Sequence, residues 1–193
     1  MKELEPFIRD GQHLQTGKPF KQFGRMRSRE VLANWLICVV ANFECGMDRL
    51  SFTTDPTGGD GVVHDAQSSD MWLMEHVLVP RMRSEYGANA GNVEAAVLAA
   101  IDSKRQKGGA AYASGKQLVV FLNSGGGLWY PNRVAKQLPK PLMFDNVWIV
   151  GLQSAEHSYE YGVTQLDADK GDSQVWLVRI DADFATWKVE RIQ

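Results

Sequence analysis

The runs Asp55-Pro56-Thr57-Gly58-Gly59-Asp60-Gly61 and Trp72-Leu73-Met74-Glu75-His76-Val77-Leu78-Val79 decide how this chain is read. The first is turn chemistry that opens into a short strand over 61–64. The second is an apolar strand closed by Pro80. Alternation puts Glu75, Val77 and Val79 on one face of that strand and Met74, His76 and Leu78 on the other. A carboxylate inside an apolar strand needs a partner or a task. A tight reverse connection through residues 65–70 would bring Asp60, at the entry of the preceding strand, toward Glu75. Two such acids form an oxygen-rich site suited to Mg2+ or Mn2+, completed by a main-chain carbonyl such as that of His76 and by water. Asp65 is a further ligand if its side chain turns inward.

Working outward, Ser28 is the expected cap of a helix with Glu30 early in it, running to about Glu44 and stopping at Gly46. Val31, Leu32, Trp35, Leu36, Ile37, Val39, Val40 and Phe43 cover most of its circumference, which predicts a helix enclosed by other elements. A strand over 50–53 joins those at 61–64 and 72–79 in a β-meander. Asn92 caps a second helix over 93–107, ended by Gly108-Gly109. At about 100° per residue, Val97, Ala100 and Lys104 fall within about 40° of Val93. Lys104 therefore lies in the middle of an apolar stripe and must either snorkel out or meet an acid, the Asp60/Glu75 pair being the obvious one; Lys107 is the second choice. A fully apolar strand over 117–123, a helix from Pro131 to about Gln137 and strands over 147–152, 159–166 and 174–180 follow, the last two as a hairpin. Residues 1–26 read as a polar lead-in. The order α-β-β-β-α-β-α-β-β-β predicts one α/β domain over 1–193, a three-layer mixed β-sheet flanked by helices.

Composition narrows the function classes. With 44% hydrophobic and 23% charged residues the chain has a globular balance, which excludes a fibrous or disordered one. The net charge is −2, so no overall basic excess points to nucleic acid, yet the charge is unevenly spread. Residues 1–144 carry 17 Lys and Arg against 14 Asp and Glu, and residues 145–193 carry 4 against 9. Two acid-free stretches, 11–29 and 124–144, hold basic residues beside aromatics, a pattern able to bind phosphates and equally suited to a solvated surface. Cys38 and Cys45 sit about 10 Å apart along one helix, too far for a disulfide, which favours a reducing, cytoplasmic setting. The start of the chain lacks the apolar segment of a signal peptide, and the longest apolar-rich run, 31–43, is shorter than the ~20 residues a membrane span needs.

The buried first helix, the Gly-Asp-Gly strand entry at Asp60, Glu75 in the next strand, and then a helix and an apolar strand resemble the restriction-endonuclease-like, PD-(D/E)xK, nuclease superfamily. Its αβββαβ core would cover residues 27–123, with the strands of 145–193 as an extension. The resemblance implies two acids holding a divalent metal, Mg2+ or Mn2+, and a lysine that orients the attacking water in phosphodiester hydrolysis. That lysine is expected two positions after the second acid, where this chain has Val77, and Pro56 is the nearest proline to Asp60. Some branches supply the lysine from the following helix, and Lys104 fits that substitution. Glu44 would add a third carboxylate, as first-helix acids do in the family. The expected partner is nucleic acid, DNA before RNA, with a homodimer left open and no membrane. The rival expectation is a non-catalytic nucleic-acid-binding or scaffold module that keeps the fold.

Other patterns compete for these residues. Glu75 could pair on the surface with Arg81 or Arg83. His64, His76 and Asp65 are suitable zinc ligands. The glycines at 125–127 before Pro131 could cradle a phosphate, without a Walker lysine. Asp167-Ala168-Asp169-Lys170-Gly171-Asp172 has calcium-loop character but no downstream glutamate at the required spacing, and reads as a turn. Trp129 and Tyr130 are the aromatics best placed to contact nucleic acid.

Overall fold

The computed structural model describes residues 1–11, 23–24, 26–81, 90–123 and 128–193. One eight-stranded sheet, in sequence order, runs through it: β1 (Leu50–Thr53), β2 (Val62–Asp65), β3 (Met71–Val79), β4 (Lys116–Leu122), β5 (Asn146–Ser154), β6 (Tyr159–Asp167), β7 (Asp172–Ile180) and β8 (Trp187–Arg191). Strands β1 to β3 form the expected antiparallel meander. β3, β4 and β5 are mutually parallel, and β5 to β8 return to antiparallel pairing, with the β6–β7 hairpin closing at Asp167 and Asp172. Among the described residues the α-helices are α1 (Glu5–Arg9), α2 (Ser28–Cys45), α3 (Ala90–Gln106), α4 (Gly109–Ala113) and α5 (Pro131–Lys136). α3 and α4 make the crossover from β3 to β4, and α5 the one from β4 to β5, as parallel neighbours require.

β4 shows how the core divides. Its Val119 and Phe121 belong to a cluster built on α2, whereas Leu118, Val120 and Leu122 belong to one built on α3 and α5. A strand covered on both faces has to be apolar throughout. The two helix sets thus lie on opposite faces of a mixed α/β sheet. α2 is enclosed as its composition demands: Val31, Leu32, Leu36 and Val40 are buried. It stops at Gly46, whose left-handed φ of 65° lets its N–H and that of Met47 return to the carbonyls of Phe43 and Asn42. Its interior side chains touch β4, β6 and β7 residues such as Tyr161, Val163 and Trp176 within the same cluster. The sheet from β5 onward therefore completes the core around α2 instead of hanging from it.

Three features depart from the sequence reading. The lead-in is not merely polar: Leu4 and Ile8 are buried against the α2 cluster, and the Arg9 guanidinium lies 5.0 Å from the Phe184 ring and donates to the Ala182 carbonyl. Arg27 occupies the N-cap of α2, and Ser28 is its buried first residue. β8 pairs along β7 although its Trp-Lys-Val-Glu-Arg sequence is mostly polar, as suits the last strand of a sheet. Among the described residues no helix is long and apolar enough to cross a membrane. The 125–127 glycine run, Arg83, and most of the basic side chains of the 11–29 stretch lie outside the described residues.

Enclosure of α2 has a measurable consequence. Leu36→Ala is expected to lower the unfolding free energy by about 2–5 kcal/mol. Phe43→Ala, on a side chain 48% exposed, should change it by less than about 1 kcal/mol. Urea denaturation of both variants checks this.

Candidate functional site

Asp60 is held from two directions. Its carboxylate Oδ2 accepts the main-chain N–H of His76 at 2.7 Å, and its carbonyl accepts the Asn34 Nδ2 amide at 3.1 Å. Asn34, fully buried on α2, uses its other amide atom to accept from His76 Nε2 at 2.9 Å. That bond places the proton on Nε2 and leaves Nδ1, which has no partner among the described residues, as the lone-pair nitrogen. The ring stays neutral: burial first, then the charges of Arg29 and Lys104, push the His76 pKa down to about 3. Gly61 makes the arrangement possible. Its φ is 132°, and a Cβ there would stand 2.4 Å from Asn34 Nδ2, so a side chain would both strain the backbone and evict the amide.

On the opposite face of β3, Glu75 Oε1 accepts from Lys104 Nζ, with both side chains largely buried. Lys104 lies in the last turn of α3, beneath which Val93, Val97 and Ile101 form the buried stripe. Burial alone would raise the Glu75 pKa; the Lys104 bond, the adjacent Tyr112 hydroxyl and the charges of Lys104 and Lys116 together outweigh it and hold the carboxyl below its usual range. Tyr112, from α4, shows the converse. Burial and then the Glu75 carboxylate raise its phenol pKa, while the hydroxyl makes no regular hydrogen bond with the described residues.

Asp60, Glu75, His76 and Lys104 line one cleft of about 450 Å3 together with Arg27, Arg29, Glu30, Lys107, Tyr112 and Lys116. Glu30 is the acid that sequence reasoning passed over. It was legible only as an early-helix carboxylate, and it does receive the Arg27 N–H at 2.7 Å. It is also 5% exposed, and burial, then the Asp60 charge, raises its pKa. Asp60 is raised too, by burial before the repulsion of Glu75, with the His76 N–H pulling the other way. Three buried or half-buried acids thus share the cleft with a lysine bound to one of them.

Other candidates are placed elsewhere. Glu44 lies fourteen residues beyond Glu30 on α2, about 21 Å along the axis. Its carboxylate accepts from Trp176 Nε1 at 2.7 Å and pairs with Arg191 at 3.1 Å, so it does not join the cleft. Asp65 is taken by Arg49 at 2.8 Å and by the Gln67 N–H at 2.8 Å. The zinc set is not assembled either, since the His76 ring turns to Asn34. Among the described residues no group of three or more His, Cys, Asp or Glu side chains is placed to hold a metal ion. Asp167 caps the N–H groups of Asp169 and Lys170 and pairs with the Lys170 ammonium, as a turn residue does. Tyr130 is anchored through its N–H to Glu94 at 3.0 Å, with the Arg133 guanidinium 4.3 Å from its ring.

No model of a known protein family, no characterised protein and no solved structure matches this chain.

Two outcomes follow from the charges. Lys104→Met strands Glu75 in a buried position and should cost about 3 kcal/mol; adding Glu75→Gln to it should recover most of that in chemical denaturation. Asp60, whose folded-state pKa is raised, burdens the folded state when ionised. Asp60→Asn keeps an oxygen for the His76 N–H and should raise Tm at neutral pH. That gain should shrink as pH falls through the raised folded-state pKa toward the ordinary aspartate value, because wild type then sheds the same charge. Thermal melts of both proteins across pH check the sign.

Proposed function

We propose that this chain is a divalent-metal-dependent phosphodiesterase acting on DNA, a divergent restriction-endonuclease-like protein of three-layer architecture. The observation that carries the reading is Lys104, which reaches Glu75 from the helix after β3 inside a cleft that also holds Asp60. The order α2-β1-β2-β3-α3-β4, with helix sets on both faces of the sheet, supports the αβββαβ assignment.

The donor set fits Mg2+ or Mn2+. Asp60 and Glu75 offer hard carboxylate oxygens, a main-chain carbonyl such as that of His76 can add another, and Mg2+ in particular retains several waters and needs few protein ligands. Burial and the Glu75 charge disfavour the ionised form of half-buried Asp60, so a cation held there would offset that cost. When bound, such an ion lowers the pKa of a coordinated water and stabilises charge on the scissile phosphate. Asp60 and Glu75 would hold the ion, with Asn34 and the His76 N–H aiming Asp60, and Lys104 would orient the attacking water from the Glu75 side. Glu30, close enough to feel the Asp60 charge, can accept a proton at the edge of the cleft.

One observation favours a second reading, a non-catalytic nucleic-acid-binding or scaffold protein. Val77, at the family's lysine position, packs with the α3/α5 core, and Lys104 is bonded to the very carboxylate that would hold the metal. Supercoiled and linear duplex DNA incubated with the protein and Mn2+ or Mg2+ separate the two. The nuclease reading expects nicking or cleavage that falls at least about 100-fold in Asp60→Asn and in Glu75→Gln. No cleavage by wild type, or cleavage that survives both substitutions, overturns it in favour of the non-catalytic reading.

A further inference from the structure

Lys107 and Lys116 converge on Tyr112 at the rim of the cleft. The Lys107 ammonium is 5.2 Å and the Lys116 ammonium 4.3 Å from the centre of the Tyr112 ring. The sequence builds this convergence. Gly108 sits where a Cβ would stand 2.6 Å from Tyr112 Cβ, and Gly109 takes a left-handed φ of 56°, so the chain turns sharply enough after α3 for α4 to lay its tyrosine beside both lysines. Tyr112 is braced behind by an edge contact with Phe144, ring centres 6.4 Å apart. Among the described residues neither lysine has a salt-bridging carboxylate within 4.0 Å. A cation over an aromatic face is favoured by the ring quadrupole, but two ammoniums at one ring repel each other. An anion bound between them removes that repulsion.

We infer that Lys107, Tyr112 and Lys116 form a phosphate clamp for a nucleic-acid backbone, seating a phosphodiester next to the one held by the Asp60/Glu75/Lys104 cleft. The inference deepens the nuclease reading and rests on it for the direction of the strand, which runs from the Asp60/Glu75 centre past Tyr112. Arg27 and Arg29 line the cleft as well, from the start of α2. Cations from two separate elements then flank the acidic centre, as suits a continuous polyanion more than a terminal phosphate. The ligand chemistry is the phosphodiester backbone, which DNA and RNA share.

The test measures binding without metal, so it is independent of cleavage. Fluorescein-labelled 16-nucleotide single-stranded DNA, the same sequence as RNA and as duplex DNA, are titrated with the protein in EDTA over a range of KCl concentrations, by anisotropy. Wild type is expected to bind at least one of them with affinity that falls steeply with salt. Lys107→Ala and Lys116→Ala should each weaken binding several-fold and lower the log–log salt slope by about 0.7–0.9, and the double variant should lose about twice the slope of either. Lys188→Ala, an exposed lysine on β8, controls for net charge and should change little. Tyr112→Phe should bind as wild type does, because the ring is kept; Tyr112→Leu should behave like the double lysine variant. Absence of binding by wild type, or a double lysine variant indistinguishable from Lys188→Ala, overturns the clamp. Clamp-dependent binding without any cleavage in metal would sink the nuclease reading alone.

Discussion

Strands β3 and β4 run parallel, and a parallel pair cannot be closed by a hairpin. The chain must leave the end of β3, cross one face of the sheet and re-enter beside the start of β4. That requirement places α3 and α4 over the face of β3 that carries Glu75, and it brings the last turn of α3 back to the strand end where β4 begins. Lys104, Lys107, Tyr112 and Lys116 are all products of this return. Glu75 is tolerable inside the strand because the crossover delivers a cation to it, and the crossover is anchored there in turn by a buried ion pair, whose loss of either partner is far more costly than its net worth. The opposite face of β3 is settled by different means. Neutral His76 is fixed by Asn34 of α2, and the same Asn34 holds the Asp60 backbone. One strand thus joins two helices on two faces through adjacent polar residues.

The electrostatics of the cleft are deliberately unbalanced in one place. Glu75 has its lysine, so its charge is stabilised. Glu30 has only the exposed Arg27 guanidinium, at 3.7 Å, and Asp60 makes no ion pair among the described residues; burial disfavours the charged form of each, Asp60 also feels the Glu75 charge and Glu30 that of Asp60. Backbone N–H donors to both acids offset part of that cost. A fold selected only for stability would replace such acids with amides or apolar side chains, since sites that place unsatisfied charge trade stability for chemistry. That residual negative charge is what makes the Asp60 side of the cleft receptive to a cation, while the Lys107–Tyr112–Lys116 side is receptive to an anion. Opposite preferences side by side suit a substrate that would bring its own negative charge to the proposed metal site.

Much of this was legible in the sequence because it rests on period. Alternation in β3 assigned Glu75 and His76 to opposite faces, and the stripe Val93, Val97, Ala100 carried Lys104 onto the inward side of α3; both are long, regular elements where geometry follows from spacing. The parts that escaped are short or doubly employed. α4 is five residues, too brief to leave a periodic trace, so Tyr112 carried no signal. Glu30 resembled a helix-start residue because it is one, and its second exposure to the cleft depends on where Asp60 ends up. Glu44 pointed wrongly because composition marks an acid on the first helix without saying which end of that helix meets the site. α1 was hidden for the same reason as α4: at five residues, its Phe7 and Ile8, with Leu4 just before it, define no period until the β7–β8 corner with Phe184 closes over them.

Val77 then takes on a physical meaning. It lies two residues along β3 from Glu75, on the same face and about 6.8 Å away, and it packs with Leu118 and Val120 of β4 and the stripe of α3. A lysine at 77 would have to extend from this half-buried layer back along the strand to the cleft, leaving an unbranched stem to fill the space of a branched side chain. A lysine on α3 faces neither difficulty. It starts from the helix side, at the end of the stripe where the cleft opens, and its stem continues the apolar row while its ammonium meets Glu75 directly. Moving the cation to the helix lets position 77 be core, and it links the cation to whatever else follows the end of α3. The two glycines, Tyr112 and Lys116 come next in the chain, so the residue that pairs with Glu75 and the residues of the phosphate clamp are positioned by one continuous turn, and a strand-borne lysine would have separated them.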